Sequence, residues 1–273
     1  MIKKSYELNF HQSFTVSMNY ILKIIKLYIE DNFEYSKEEI SKFTGIPTGK
    51  SSGKVVPNIK YAKYFGLLDY EVKKGKYKII ITELGKVLLE EDPYLNEEIS
   101  LILLNYLMCS QGIGADMWYY ISNILMPKYS KKISKKLLIK ELEKRYIKNK
   151  VVNINPWIMY HKNIFEELRL YSFEEDNILK KDIKISKEYV FMYAYLFMKE
   201  WENKYPVTEI TIDNIESFNW KEKLFISEKD SYKILEYMGE EGIIKFNKQL
   251  TPVTIVKLKN SSYLLKKIYS KII

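Results

Sequence analysis

The loop Gly45–Ser51, G-I-P-T-G-K-S, has the residue types that cradle phosphate: glycines that leave backbone N–H groups open, a lysine and a serine hydroxyl. A nucleotide-binding P-loop places four residues between its glycines and follows a buried strand. Here three residues separate Gly45 from Gly49, and a helical pattern precedes them. ATP chemistry is therefore not expected. The same groups suit a simpler task, because Gly49, Ser51, Ser52 and Gly53 lie where the next helix begins. Open N–H groups and the helix dipole favour a phosphate oxygen there.

Cations follow this loop closely. Lys50, Lys54, Lys60, Lys63, Lys73, Lys74, Lys76 and Lys78 are offset only by Asp69 and Glu71. Asn58, one turn beyond Lys54, is placed to hydrogen-bond an adenine edge if that helix enters a major groove. The expected DNA-binding set is Lys50, Ser51, Lys54, Asn58, Lys60, Lys63, Lys74 and Lys76. The only arginines are Arg145 and Arg169, so bidentate reading of guanine has few donors and phosphate contacts should dominate. Two more basic stretches could extend the surface. Lys128–Lys150 holds ten basic residues against Glu141 and Glu143, and Gly242–Ile273 holds seven lysines and no acid.

Residues for catalysis are sparse. His11 and His161 are the only histidines, and neither has carboxylates at metal-ligand spacing. The acidic pairs Glu166–Glu167, Glu174–Glu175 and Glu240–Glu241 are adjacent, so on a helix they diverge. Cys109, the single cysteine, follows an apolar helix pattern with no neighbouring His or Lys, as a buried, inert thiol would. No catalytic residue, metal site or cofactor is expected.

Composition sets the frame for these residues. The 273-residue chain is 47% apolar and 29% charged, with 10 Gly and 7 Pro, which excludes long disordered or collagen-like segments. The longest apolar run, Ile99–Met108, is too short to cross a bilayer, and the N-terminus has no signal-peptide core. With its lone cysteine, the protein is expected to be cytoplasmic and not membrane-associated. Its net charge of +9 favours a polyanionic partner.

The elements that must position the cations read as follows. Apolar spacing predicts a core helix from Phe14 to Asp31, capped by Ser13. Ser36 and Glu39 form a capping box that opens a second helix, which stops at Gly45. Val55–Phe65 reads as a third helix, with an apolar side at Val56, Ile59, Ala62, Tyr64 and Phe65. Gly66 ends it, two strands turn at K-K-G-K around Gly75, and Thr82 caps a further helix. Helix, turn, helix, hairpin, helix is the order of a winged helix. The expected fold is mainly α with small β-hairpins, in the α+β class. Residues 1–93 carry a helix and a winged helix-turn-helix, 94–205 an all-helical middle, and 206–273 a winged-helix-like unit. In the last, G-I-I-K-F after Glu241 parallels G-L-L-D-Y after Phe65.

The segments F-H-Q-S-F (Phe10–Phe14), G-I-P-T-G-K-S-S-G-K (Gly45–Lys54) and N-I-K-Y-A-K-Y-F-G-L-L (Asn58–Leu68) resemble the bacterial domain-of-unknown-function family numbered four thousand and seven. The resemblance implies a phage-defence or DNA-modification neighbourhood, near enzymes of DNA phosphorothioation. It adds His11 and Gln12 as secondary candidates. Together these readings lead to a DNA-binding accessory protein that contacts duplex phosphates. The alternative is a scaffold that binds a partner enzyme of the same operon without touching DNA, and a homodimer is compatible with either.

Overall fold

The computed structural model describes residues 8–30, 33–49, 53–146, 152–247 and 252–272. The fold is α+β, with helices around small three-stranded antiparallel sheets. The chain divides into two compact units, Met1–Lys181 and Asp182–Ile273.

The first unit opens with α1 (Met18–Glu30), β1 (Tyr35–Ser36), α2 (Lys37–Thr44), α3 (Val55–Tyr64), β2 (Leu68–Lys73), β3 (Lys76–Ile81) and α4 (Glu83–Glu91). Local chemistry explains most boundaries. Ser36 Oγ accepts from the Glu39 N–H at 3.2 Å while the Glu39 carboxylate accepts from the Ser36 N–H at 2.7 Å, satisfying two otherwise orphaned donors. Gly45 ends α2 in the left-handed conformation (φ 70°). Thr82 caps α4, its hydroxyl accepting from the Gly85 N–H at 2.9 Å. Ser13 is not the cap of α1. It sits in a left-handed turn (φ 66°), and the helix starts at Met18, with Ser17 Oγ accepting from the Tyr20 N–H.

The stretch 94–205, expected to be helical throughout, holds a second sheet. After α5 (Glu98–Met108), α6 (Asp116–Tyr120) passes through a π-helical turn, Ile121–Leu125, into α7 (Met126–Lys128). Pro127 accounts for the widened turn. It has no N–H to donate, and its ring would strike the carbonyl four residues back, so the preceding turn loosens and Met126 N–H donates to Ile121 O instead. This turns Ser122 and Asn123 into the interior. There follow β4 (Lys132–Ser134), α8 (Lys135–Arg145), α9 (Asn155–Lys162), β5 (Tyr171–Phe173) and β6 (Asn177–Lys180).

The core of this unit is aromatic. Tyr160 stacks on Phe165 with centroids 4.2 Å apart, Trp118 meets Tyr160 edge-on at 5.6 Å, and Phe65 lies 5.9 Å from Phe165. Phe10 joins them, 4.8 Å from Tyr61 and 5.7 Å from Trp118. Each such ring removes roughly 150–250 Å² from water, so the segment around Phe10 is anchored by packing.

The second unit runs from a 3₁₀ turn, Lys187–Tyr189, into α10 (Val190–Lys204). It continues with β7 (Glu209–Thr211), α11 (Ile212–Glu216), α12 (Trp220–Leu224), α13 (Glu228–Glu240), β8 (Ile244–Asn247), β9 (Thr254–Lys257) and α14 (Ser261–Leu265). Helix α10 is buried along most of its length, and Phe197 touches Trp201, Phe218 and Trp220 at 5.3–5.9 Å. The three sheets, β1-β3-β2, β4-β6-β5 and β7-β9-β8, share one strand order. In each, a hairpin follows the helices and its second strand takes the first strand as the opposite neighbour. Among the described residues no helix is long and apolar enough to cross a membrane.

Candidate nucleic-acid interface

Lys50 and Ser51 lie outside the described residues. The rest of the expected set is distributed over α3 and the β2–β3 hairpin. Lys54 occupies the N-cap position of α3, half-buried. Its N–H donates to Pro47 O at 2.8 Å, and its ammonium stands 5.9 Å from the Phe14 ring centre and 5.7 Å from that of Tyr20. Lys60 is half-buried too. Lys63 donates to Asp69 at 2.6 Å and lies over the Tyr70 ring, which ties the end of α3 to β2.

Asn58 is a correction to the sequence reading. Its side chain is fully buried, with Oδ1 accepting from the Ser17 N–H at 3.0 Å and Nδ2 donating to Lys54 O at 2.7 Å. An amide so placed cannot reach a base edge. Its face of α3 is covered by α1, so the buried side of α3 takes in Val55, Asn58, Ile59, Tyr61 and Ala62.

The hairpin is where cations stand clear of the body. Lys73 and Lys76 face each other in register, leaving Lys74 and Gly75 as a two-residue loop. Both have positive φ, 50° and 78°, as a type I′ turn requires, and that turn matches the right-handed twist of the strands. Lys73, Lys74, Lys76 and Lys78 are all exposed. Lys73 meets Glu71 at 3.3 Å on the surface, a pair of little weight in water.

His11 is buried between Phe10 and Trp118, at ring distances of 5.4 and 6.4 Å, and its Nδ1 accepts from the Ser13 N–H at 3.0 Å. Burial lowers its pKa to about 4, so it is a neutral core residue and not a surface contact. Gln12 is exposed, in a left-handed conformation (φ 47°).

Sequence reasoning missed a polar cluster behind the π-helical turn. Ser122 Oγ lies 2.9 Å from Tyr171 OH and 3.4 Å from Cys109 Sγ, and the buried Lys180 ammonium donates to Ser122 O at 3.0 Å. Pro127 was the available signal, since it forces the turn that brings Ser122 inward.

The family model described as "Protein of unknown function (DUF4007)" matches residues 9–156, more than half of the chain. The chain belongs to the DUF4007 family. No curated protein sequence matches this DUF4007 member. Two solved structures of SspB share its fold. One, a magnesium ion-bound form, is 14% identical with a TM-score of 0.72, and the other is 13% identical with a TM-score of 0.73. Each alignment covers 98% of this chain and 88% of the SspB chain. Among the described residues of this DUF4007 chain no group of three or more His, Cys, Asp or Glu could hold a metal ion.

Proposed function

We propose that this protein is a DNA-binding accessory factor of a bacterial defence or DNA-modification system that grips duplex phosphates through an N-terminal winged helix. The observation that carries the reading is the tight Lys74–Gly75 turn, which projects Lys73, Lys74, Lys76 and Lys78 into solvent from a helix, strand, helix, helix, hairpin, helix unit. Lys54 and Lys60 on α3 complete the contact surface. Lysines without accompanying arginines suit phosphate contacts, which position a protein without reading sequence. The defence context rests on the family resemblance.

Fluorescence anisotropy of a labelled duplex over a salt series tests this reading. Binding should weaken with salt, and Lys74→Glu with Lys76→Glu should flatten the log–log slope by about 0.9 for each phosphate that is no longer neutralised. Absence of binding at low salt would sink it.

A second reading, a scaffold for a partner enzyme, is favoured by one surface feature. Phe33 is 65% exposed and Phe43 57%, and both rings stand edge-on to Tyr35, at 6.4 and 5.2 Å. Phe33→Ser with Phe43→Ser should then abolish co-purification with the neighbouring gene's product, and the unaltered chain should retain no duplex.

A further inference from the structure

The second unit carries an apolar groove of about 520 Å³ between α13 and the β8–β9 hairpin, at the start of α11. Ile212, Tyr232, Phe246 and Val253 form its apolar lining, and Tyr232 is 49% exposed. Gly239, in the last turn of α13, keeps it open. A β-carbon at Gly239 would meet the Phe246 ring at 3.6 Å, a normal contact. The fold thus has room for a side chain at this position, and glycine is a poor helix former. The effect of the glycine is to leave that side of the Phe246 ring uncovered. An apolar face exposed in this way marks a contact surface.

The charge around the groove says what would cover it. Glu236 and Glu240 stand on its rim. Ile212 and Tyr232 are shared with a narrower hollow of about 50 Å³, lined by Asp213, Glu216, Glu222 and Glu228 together with Lys221. Two ion pairs offset these carboxylates in part, Lys221 with Glu228 and Lys187 with Glu240. Lys233, on the neighbouring face of α13, lies over the Tyr237 ring. The result is a negative patch on a chain of net charge +9. Helix α13 stands before its hairpin as α3 stands before β2–β3, yet the two helices differ in charge. Helix α3 carries Lys60 and Lys63 and no acid, while α13 carries Glu228, Asp230, Glu236 and Glu240 against Lys229 and Lys233. Such a face repels a phosphate backbone and attracts a cationic partner.

We propose that this groove docks a basic amphipathic segment of a partner protein. Its large apolar side chains lie against Tyr232, Phe246 and Val253, and its lysines or arginines at Asp213, Glu216 and Glu236. The apolar anchors supply affinity, and the carboxylates select for positive charge. None of these residues lies on α3 or the β2–β3 hairpin, so a failure of duplex binding leaves the groove unaffected.

Fluorescence anisotropy of the full chain with labelled synthetic peptides tests it. The probe is an amphipathic peptide of leucine and lysine. One counterpart replaces each lysine by glutamate, and another each leucine by serine. The leucine–lysine peptide should bind tenfold or more tighter than either counterpart. Gly239→Met, which lays a flexible side chain over Phe246, should weaken that binding at least tenfold with Tm unchanged or raised. Glu216→Lys with Glu236→Lys, both exposed, should weaken it as much and serves if Gly239→Met disturbs the fold. The proposal is overturned if the peptide does not bind up to about 1 mM, if either counterpart binds as well, or if the groove variants bind like the unaltered chain. A dimer of the peptide-free chain in sedimentation, dissociated by Gly239→Met, would also overturn it by assigning the groove to a second copy.

Discussion

Asn58 and Ser17, 41 residues apart, are joined by a 3.0 Å hydrogen bond from the Ser17 N–H to the Asn58 side-chain oxygen. The other end of the same amide donates to Lys54 O, so one side chain satisfies the entry to α1 and the first turn of α3 together. Asn58→Ala strands the Ser17 N–H and takes one of two donors from Lys54 O, which keeps the Asn58 backbone N–H at 3.3 Å. The expected cost is about 2 kcal/mol, near 4–8 °C in Tm for a unit of this size. Duplex affinity per folded molecule should not change. A large affinity loss without a thermal shift would restore Asn58 to the contact surface.

Acid should weaken the first unit through its histidines. Burial brings His11 down to about 4 and puts His161 well below the ordinary 6.5. As pH falls below about 6.5 the unfolded chain takes up protons that the folded chain refuses, so the stability present above 6.5 is lost on the way to 4. Unfolding free energies from urea titrations at pH 7.5 and 4.5 should differ by about 2 kcal/mol more in the unaltered chain than in His11→Phe. Equal differences would show that His11 does not titrate this way.

Gly85 is required by space. A β-carbon there would run into the carbonyl oxygen of Leu67, so Gly85→Ala must push α4 away from the start of the hairpin. A destabilisation of about 3 kcal/mol is expected, read as an earlier denaturant midpoint. A shift within experimental error would mean that α4 moves at no cost.

The second unit contains an ion pair between the buried Lys223 and Glu200. Lys223→Met takes this ammonium from the Glu200 carboxylate, whose side chain is 16% exposed, and should cost about 3–5 kcal/mol. Adding Glu200→Leu should recover most of that. If the double variant is no better than the single one, the pair is held by more than its mutual charge.

The N-terminal unit was legible because its boundaries are marked by local chemistry: the Ser36–Glu39 box, Gly45, the K-K-G-K turn and Thr82. The parallel between G-L-L-D-Y and G-I-I-K-F is repeated in conformation, since Gly66 and Gly242 are both left-handed (φ 70° and 62°) and a strand starts two residues after each. The sheet of β4, β5 and β6 was hidden because its strands have three or four residues, too few to display alternation. The candidate site was legible only in its cations. The partner that buries Asn58 lies too far along the chain for spacing to reveal.

The shared strand order bears on what happens when many copies meet. At one edge of each sheet lies its shortest member or an equal of it, β1, β4 or β7, with two or three residues. A passing strand finds too few open main-chain groups there to begin a ladder. The opposite edges are four residues or fewer in β5 and β8, and the six-residue edge β2 carries Asp69, Glu71 and Lys73. Charge on the long edge and brevity on the others oppose strand-to-strand growth between copies of this aromatic-rich chain.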